Sequence, residues 1–148
     1  MSLLELLRDP LFRSTVLVLW LLPCAIQDRR TRHVSNWLTV PLFVLAWPAA
    51  LFTDHLLLTL AVFAGVFLAW RWSGGLGPAD GKIAVGLAGL APLALLASVL
   101  VQELAFLYAR LRGQAGMSLP GAVSFYLGAV IAAVLTPLAL PACRAVPC

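Results

Sequence analysis

The chain has 148 residues, 62% of them hydrophobic and 11% charged, with a net charge of +4 and a mean hydropathy of +0.99. Soluble domains carry roughly 25% charged residues, so the charges are too few to coat a water-facing surface, and a soluble globular domain is excluded. The basic residues stand singly or in one short cluster beside apolar stretches, which excludes a nucleic-acid partner and fits the positive-inside rule.

Six apolar segments are predicted along the chain. Leu11 to Ile26 is the first, after a polar start containing Glu5, Arg8 and Asp9. Those acids argue against a cleaved signal peptide, whose leading region is positive. Trp37 to Phe52 is the second segment, and the turn Thr53-Asp54-His55 leads to the third, Leu56 to Trp72. Residues 73–82 hold four glycines and a proline, a composition that predicts an irregular stretch. A short fourth segment runs from Ile83 to Leu90. The fifth runs from Leu93 to Tyr108, and Leu119 to Leu140 make the sixth. The expected architecture is a single all-α domain over 1–148, a polytopic bundle of six transmembrane segments with the fourth short.

The alternative at residues 83–108 is one helix kinked at Pro92, giving five spans. Charge asymmetry favours six. The loops after segments one, three and five then hold Arg29, Arg30, Arg32, Arg71, Lys82, Arg110 and Arg112, seven of the ten basic residues. Five spans would reduce that bias to five against five. The expected topology puts both termini outside and these loops in the cytoplasm.

Ionisable groups at membrane depth are costly and mark function. Glu5, Asp9 and Asp54 fall in outer loops, which leaves Asp28, Asp80 and Glu103. Asp28 and Asp80 are 52 residues apart with two crossings between them, so both belong at one depth on one side. Two neighbouring carboxyls cannot both ionise cheaply and share a proton. The ionised partner can draw a proton from water while the protonated one polarises a peptide carbonyl, and the pair titrates as a unit. Glycines at 74, 75, 77 and 81 let backbone approach an extended substrate. A metal site is not expected: Cys24, Cys143 and Cys148 form no C-x-x-C pair, and His33 and His55 each stand alone. No cofactor is expected. Cys143 and Cys148 are read as inert thiols, with a disulfide between them as the alternative in an oxidising space.

These residues resemble the type IV prepilin peptidases. That family pairs an aspartate after a first segment, followed by basic residues and an Ile-Pro-Asn-like triplet, with a later Gly-x-Gly-Asp-x-Lys motif. This chain offers Asp28-Arg29-Arg30, Arg32 and Val34-Ser35-Asn36, then Gly77-Pro78-Ala79-Asp80-Gly81-Lys82, departing at Ser35 and Ala79. The resemblance covers nearly the whole chain. It implies an aspartic endopeptidase of the inner membrane with Asp28 and Asp80 as its catalytic pair. Gly77, Ala79, Gly81, Lys82 and Asn36 would bind substrate or support the pair. It implies a prepilin or pseudopilin-like substrate, cut at its basic leader on the cytoplasmic face, and hence a role in type IV pilus or protein secretion systems. The four-cysteine methylating domain of larger members has no counterpart here, so the resemblance implies cleavage without methylation.

Blander assignments stand beside this one. Asp28 can pair with Arg29 or Arg32, and Asp80 can cap a helix. The arginines serve as topology anchors, Asn36 as the cap of segment two, and Lys82 as either an anchor or a partner of Asp80. The five tryptophans fit interfacial belts, and Gly121 and Gly128 suit close helix packing. Glu103 carries no assignment. The competing function is an ion- or proton-coupled transporter using the same two acids.

Overall fold

A computed structural model describes residues 9–73, 77–114 and 119–144. Its described residues form six helices: α1 (Pro10–Thr31), α2 (Asn36–Phe52), α3 (Leu56–Ser73), α4 (Pro78–Leu90), α5 (Pro92–Leu111) and α6 (Gly121–Arg144). No strand occurs among them. The six expected segments are therefore six helices, and the kinked single helix over 83–108 is replaced by two. Ala91 breaks the chain there with φ −153° and ψ 80°, and Pro92 opens α5, where its missing N–H costs nothing.

Helix ends overrun the apolar segments in two places. α1 continues five residues past Ile26 to Thr31, because charged residues end a hydropathy run without ending the backbone hydrogen-bond ladder. α4 starts at Pro78 rather than Ile83, so the glycine-rich stretch is helical in its second half. Proline fits the first turn of a helix, and Gly77 takes the cap position with extended φ −65° and ψ 144°.

The exterior is apolar. Trp37 is 88% exposed and Leu57 82%, exposures that would waste hydrophobic burial in water and cost nothing in lipid. α1 (mean hydropathy 1.4) and α5 (mean hydropathy 1.7) are long and apolar enough to cross a membrane. Residues 36–52, 56–72 and 121–137 are apolar but shorter. Of the five tryptophans, Trp20, Trp37, Trp70 and Trp72 are exposed. Trp20 donates its indole N–H to the Leu38 carbonyl at 2.8 Å, and Trp47 instead packs edge-on against Phe43 and Phe63.

α4 is the hub, touching α2, α3, α5 and α6. Its residues from Ile83 to Gly89 are all buried. Small residues let it sit close to α2: a Cβ on Gly89 would meet the Ala46 backbone, with the Ala46 Cα at 3.0 Å. Gly89→Ala must push the two helices apart, at a cost of about 1–3 kcal/mol for overpacking. The expected result is a lower melting temperature in detergent, and an unchanged melt would show that α2 and α4 can separate freely. On the other side, Gly128 of α6 lies against Ser98 and Ala94 of α5, the close packing expected of it.

One contact sets the direction of α4 relative to α1. Arg13 near the start of α1 donates to the Leu90 carbonyl at the end of α4, at 3.2 Å. The chain thus runs from Arg13 to Asp28 in one direction and from Asp80 to Leu90 in the other. At 1.5 Å per residue those stretches are roughly 22 Å and 15 Å long, which brings Asp28 and Asp80 to the same end of the bundle.

Candidate active site

Asp28 occupies the last turn of α1 and is buried. Its Oδ2 accepts a hydrogen bond from the backbone N–H of Ala122 at 2.9 Å. Ala122 lies in the first turn of α6, where helical N–H groups have no intrahelical acceptor. A carboxylate therefore takes the place of an N-cap, delivered from another helix, in the positive field of a helix start. Among the described residues Asp28 has no ion pair with Arg29 or Arg32, so its pairing as a border charge is replaced by this backbone contact. Arg29, Arg30 and Arg32 are all exposed.

Asp80 sits in the first turn of α4, three residues after the Gly77 cap, and is partly buried. No side-chain cap bond closes that helix end, so the reading of Asp80 as an N-cap is corrected: Gly77 holds that position. Its carboxylate instead lies over Gly121, where any Cβ would collide with it. Asp28 and Asp80 thus converge on the adjacent residues Ala122 and Gly121. A cavity of about 590 Å³ is lined by both aspartates together with Arg32, Gln102, Glu103 and Ser124. Leu95, Val99 and Phe125 add apolar wall.

The supporting residues divide into two groups. Gly77 borders Asp80, since a Cβ there would stand 3.4 Å from its Oδ2, and its carbonyl accepts from the Gly81 N–H at 3.1 Å. Ala79 packs on the apolar core. Gly81 and Lys82 face a separate, almost wholly apolar cleft with Phe43, Phe63, Phe67 and Trp70. Asn36 is corrected too: Ser35 is the cap of α2, accepting from the Trp37 N–H, and Asn36 is the first helical residue. Its Oδ1 accepts from Lys82 Nζ at 2.7 Å, so Lys82 partners Asn36 rather than Asp80. Val34, just before, is buried in the core. The two separate sequence motifs are therefore tied to one another, the first by its asparagine and the second by its lysine. Gln27 strengthens the turn between α1 and α2, accepting from the Ser35 N–H at 3.0 Å.

Gly121 and Ala122 are the residues that sequence reasoning missed as part of the site. Their signal was present: the sixth segment starts on the same side as both aspartates, and a helix start with free N–H groups is an anion site. No group of three or more metal-ligating side chains occurs among the described residues. Cys24 is buried and free, while the disulfide alternative for Cys143 and Cys148 lies outside the described residues.

No curated protein and no solved structure matches the chain at a significant level. The family model of the type IV leader peptidases matches residues 15–140, a span that takes in most of α1, all of α2 to α5, both aspartates and most of α6. The order and placement of the two motifs, their link through Asn36 and Lys82, and this match lead to one conclusion: the chain belongs to the type IV leader peptidase family.

Proposed function

We propose that the protein is a multi-pass aspartyl endopeptidase of the cytoplasmic membrane that removes the leader from prepilin-like proteins, with Asp28 and Asp80 as a dyad. The observation that carries this reading is the convergence of both carboxylates on Gly121-Ala122 at the wall of one cavity. Membership of a peptidase family supplies the reaction class. A water placed between the two groups would lose a proton to the ionised carboxylate and add to the scissile carbonyl, while the protonated carboxyl donates to the carbonyl oxygen. The leaving amine then takes a proton as the tetrahedral carbon collapses. The N–H of Ala122 gives the Asp28 carboxylate a fixed donor at a helix start, which supports its place in the dyad.

All six helices are taken to cross or enter the bilayer. α4, at 13 residues, is roughly 20 Å long against a hydrocarbon core of about 30 Å. It is covered by other helices, so it need not span to be stable. Its start holds Asp80 below the surface, where a cavity open toward the cytoplasm admits the peptide.

Co-expression with a pilin-like substrate from the same genome tests the proposal. Wild type should shorten the substrate by its leader, and Asp28→Ala and Asp80→Ala should each leave it full length with the enzyme still in the membrane. Cleavage that survives either substitution would sink the dyad.

A further inference from the structure

At the end of the bundle opposite the two aspartates, α1 and α2 enclose a groove of about 250 Å³. Its walls are apolar, with Phe12 and Val16 on α1 and Leu45, Ala49 and Phe52 on α2. The lining runs from Phe12 to Trp20 on one helix and from Leu42 to Phe52 on the other. The groove therefore lies lengthwise along the helices for roughly 12–15 Å. Trp20 bounds it toward the middle of the bundle, its indole N–H fixed on the Leu38 carbonyl at 2.8 Å.

The lining holds one charge, Arg13. It stands one turn inside the start of α1, which places it at a membrane interface, where lipid headgroups lie. A guanidinium has five N–H donors, and one of them goes to the Leu90 carbonyl at 3.2 Å. Its Nε is buried with no acceptor. Such an orphan costs about 1–3 kcal/mol, and a neutral carbonyl leaves the charge itself unmatched. The polar groups nearby are otherwise engaged. The Asp9 carboxylate caps α1 through the Leu11 N–H at 3.0 Å, and the Thr53 hydroxyl donates to the Ala49 carbonyl at 2.8 Å.

These parts define the ligand by charge and shape. A phosphate suits the guanidinium because it accepts two parallel N–H bonds. An acyl chain suits an apolar groove laid along the helices of a membrane bundle. A phospholipid carries both, and one whose headgroup has no amine leaves its full negative charge to Arg13.

We propose that the groove between α1 and α2 binds one anionic phospholipid, its phosphate on Arg13 and an acyl chain against Val16, Leu45 and Ala49. Arg13 already ties α1 to the end of α4. The lipid therefore joins α1, α2 and α4 at the ends remote from Asp28, Asn36 and Asp80. Its role is structural, and it touches no reacting group.

Native mass spectrometry and thermal melting of the full-length protein in detergent test the site. Phosphatidylglycerol, phosphatidylethanolamine or inorganic phosphate is added to separate samples. One phosphatidylglycerol should stay bound and raise the melting temperature, phosphatidylethanolamine should bind more weakly, and phosphate alone should do nothing. Arg13→Gln should weaken phosphatidylglycerol binding at least about tenfold, the scale of one charge-assisted contact. It also loses the Leu90 bond and can lower the starting stability, so Ala49→Trp supplies a second variant. That change fills the groove with Arg13 in place, and should expel the lipid while the lipid-free protein melts near wild type. Equal gains from both lipids in wild type, or unchanged phosphatidylglycerol affinity in both variants, would overturn the site. So would a melting shift from inorganic phosphate alone, which needs no groove. A dimer that Ala49→Trp dissociates would also overturn it, by giving the groove to a second copy of the chain.

Discussion

Asp28→Asn and Asp80→Asn should each lower the rate of leader cleavage by about 10²–10⁴-fold, the range general acid–base groups contribute, without unfolding the protein. Asparagine is nearly isosteric with aspartate, and its amide oxygen can still accept from the Ala122 N–H that now reaches Asp28 at 2.9 Å. What the amide cannot do is exchange the shared proton. Size, fold and the α1–α6 contact are thus kept while the chemistry is removed. The pH profile of the wild type follows from the same pair. Activity falls on the acid side, where both carboxyls are protonated and no base remains. It falls on the alkaline side, where both are ionised and no proton remains for the carbonyl oxygen. Thermal melting in detergent and cleavage rates at several pH values check both halves. A flat profile, or an Asn variant that melts early, would point to a structural role.

Gly121→Ala should cost about 10²-fold in cleavage, although Gly121 takes no part in the reaction. The added methyl falls on the Asp80 carboxylate, which must move or push α6 away from α4. A displacement near 1 Å from the working geometry is enough for a loss of that size. Overpacking of this kind costs about 1–3 kcal/mol, so the melting temperature should fall modestly while cleavage falls far more. A loss of rate larger than the loss of stability explains marks a position held by site geometry. Full activity in Gly121→Ala would mean that the working position of Asp80 lies away from α6.

Much of this was legible in the sequence, for physical reasons. Hydropathy marks six helices because apolar runs are broken by charge, proline and glycine. The basic bias of alternate loops sets the hand of the topology, and the two helices between Asp28 and Asp80, α2 and α3, return the chain to the same end of the bundle. The helix limits were less legible. Asp28-Arg29-Arg30 stays helical because the hydrogen-bond ladder ignores side-chain charge, and Pro78 begins a helix that its glycine neighbours disguise. Ser35 and Asn36 are both good caps by residue type, and only the pairing of Asn36 with Lys82 across 46 residues decides between them. Long-range contacts of this kind leave no local trace. The place of Gly121-Ala122 was hidden for the same reason: a glycine at a helix start reads as packing until the carboxylate above it is seen. Glu103 stood out in the sequence as a misplaced charge, and the shared cavity now gives it company.

The central claim is that Asp28 and Asp80 act as one unit. Single-turnover cleavage by wild type, Asp28→Asn, Asp80→Asn and the double Asn variant measures it directly. Groups that share one proton are not independent, so removing the second after the first should cost little more. The double variant should fall within a few-fold of either single one. Losses that multiply in the double variant, or a single variant that keeps near-wild-type turnover, would contradict the dyad.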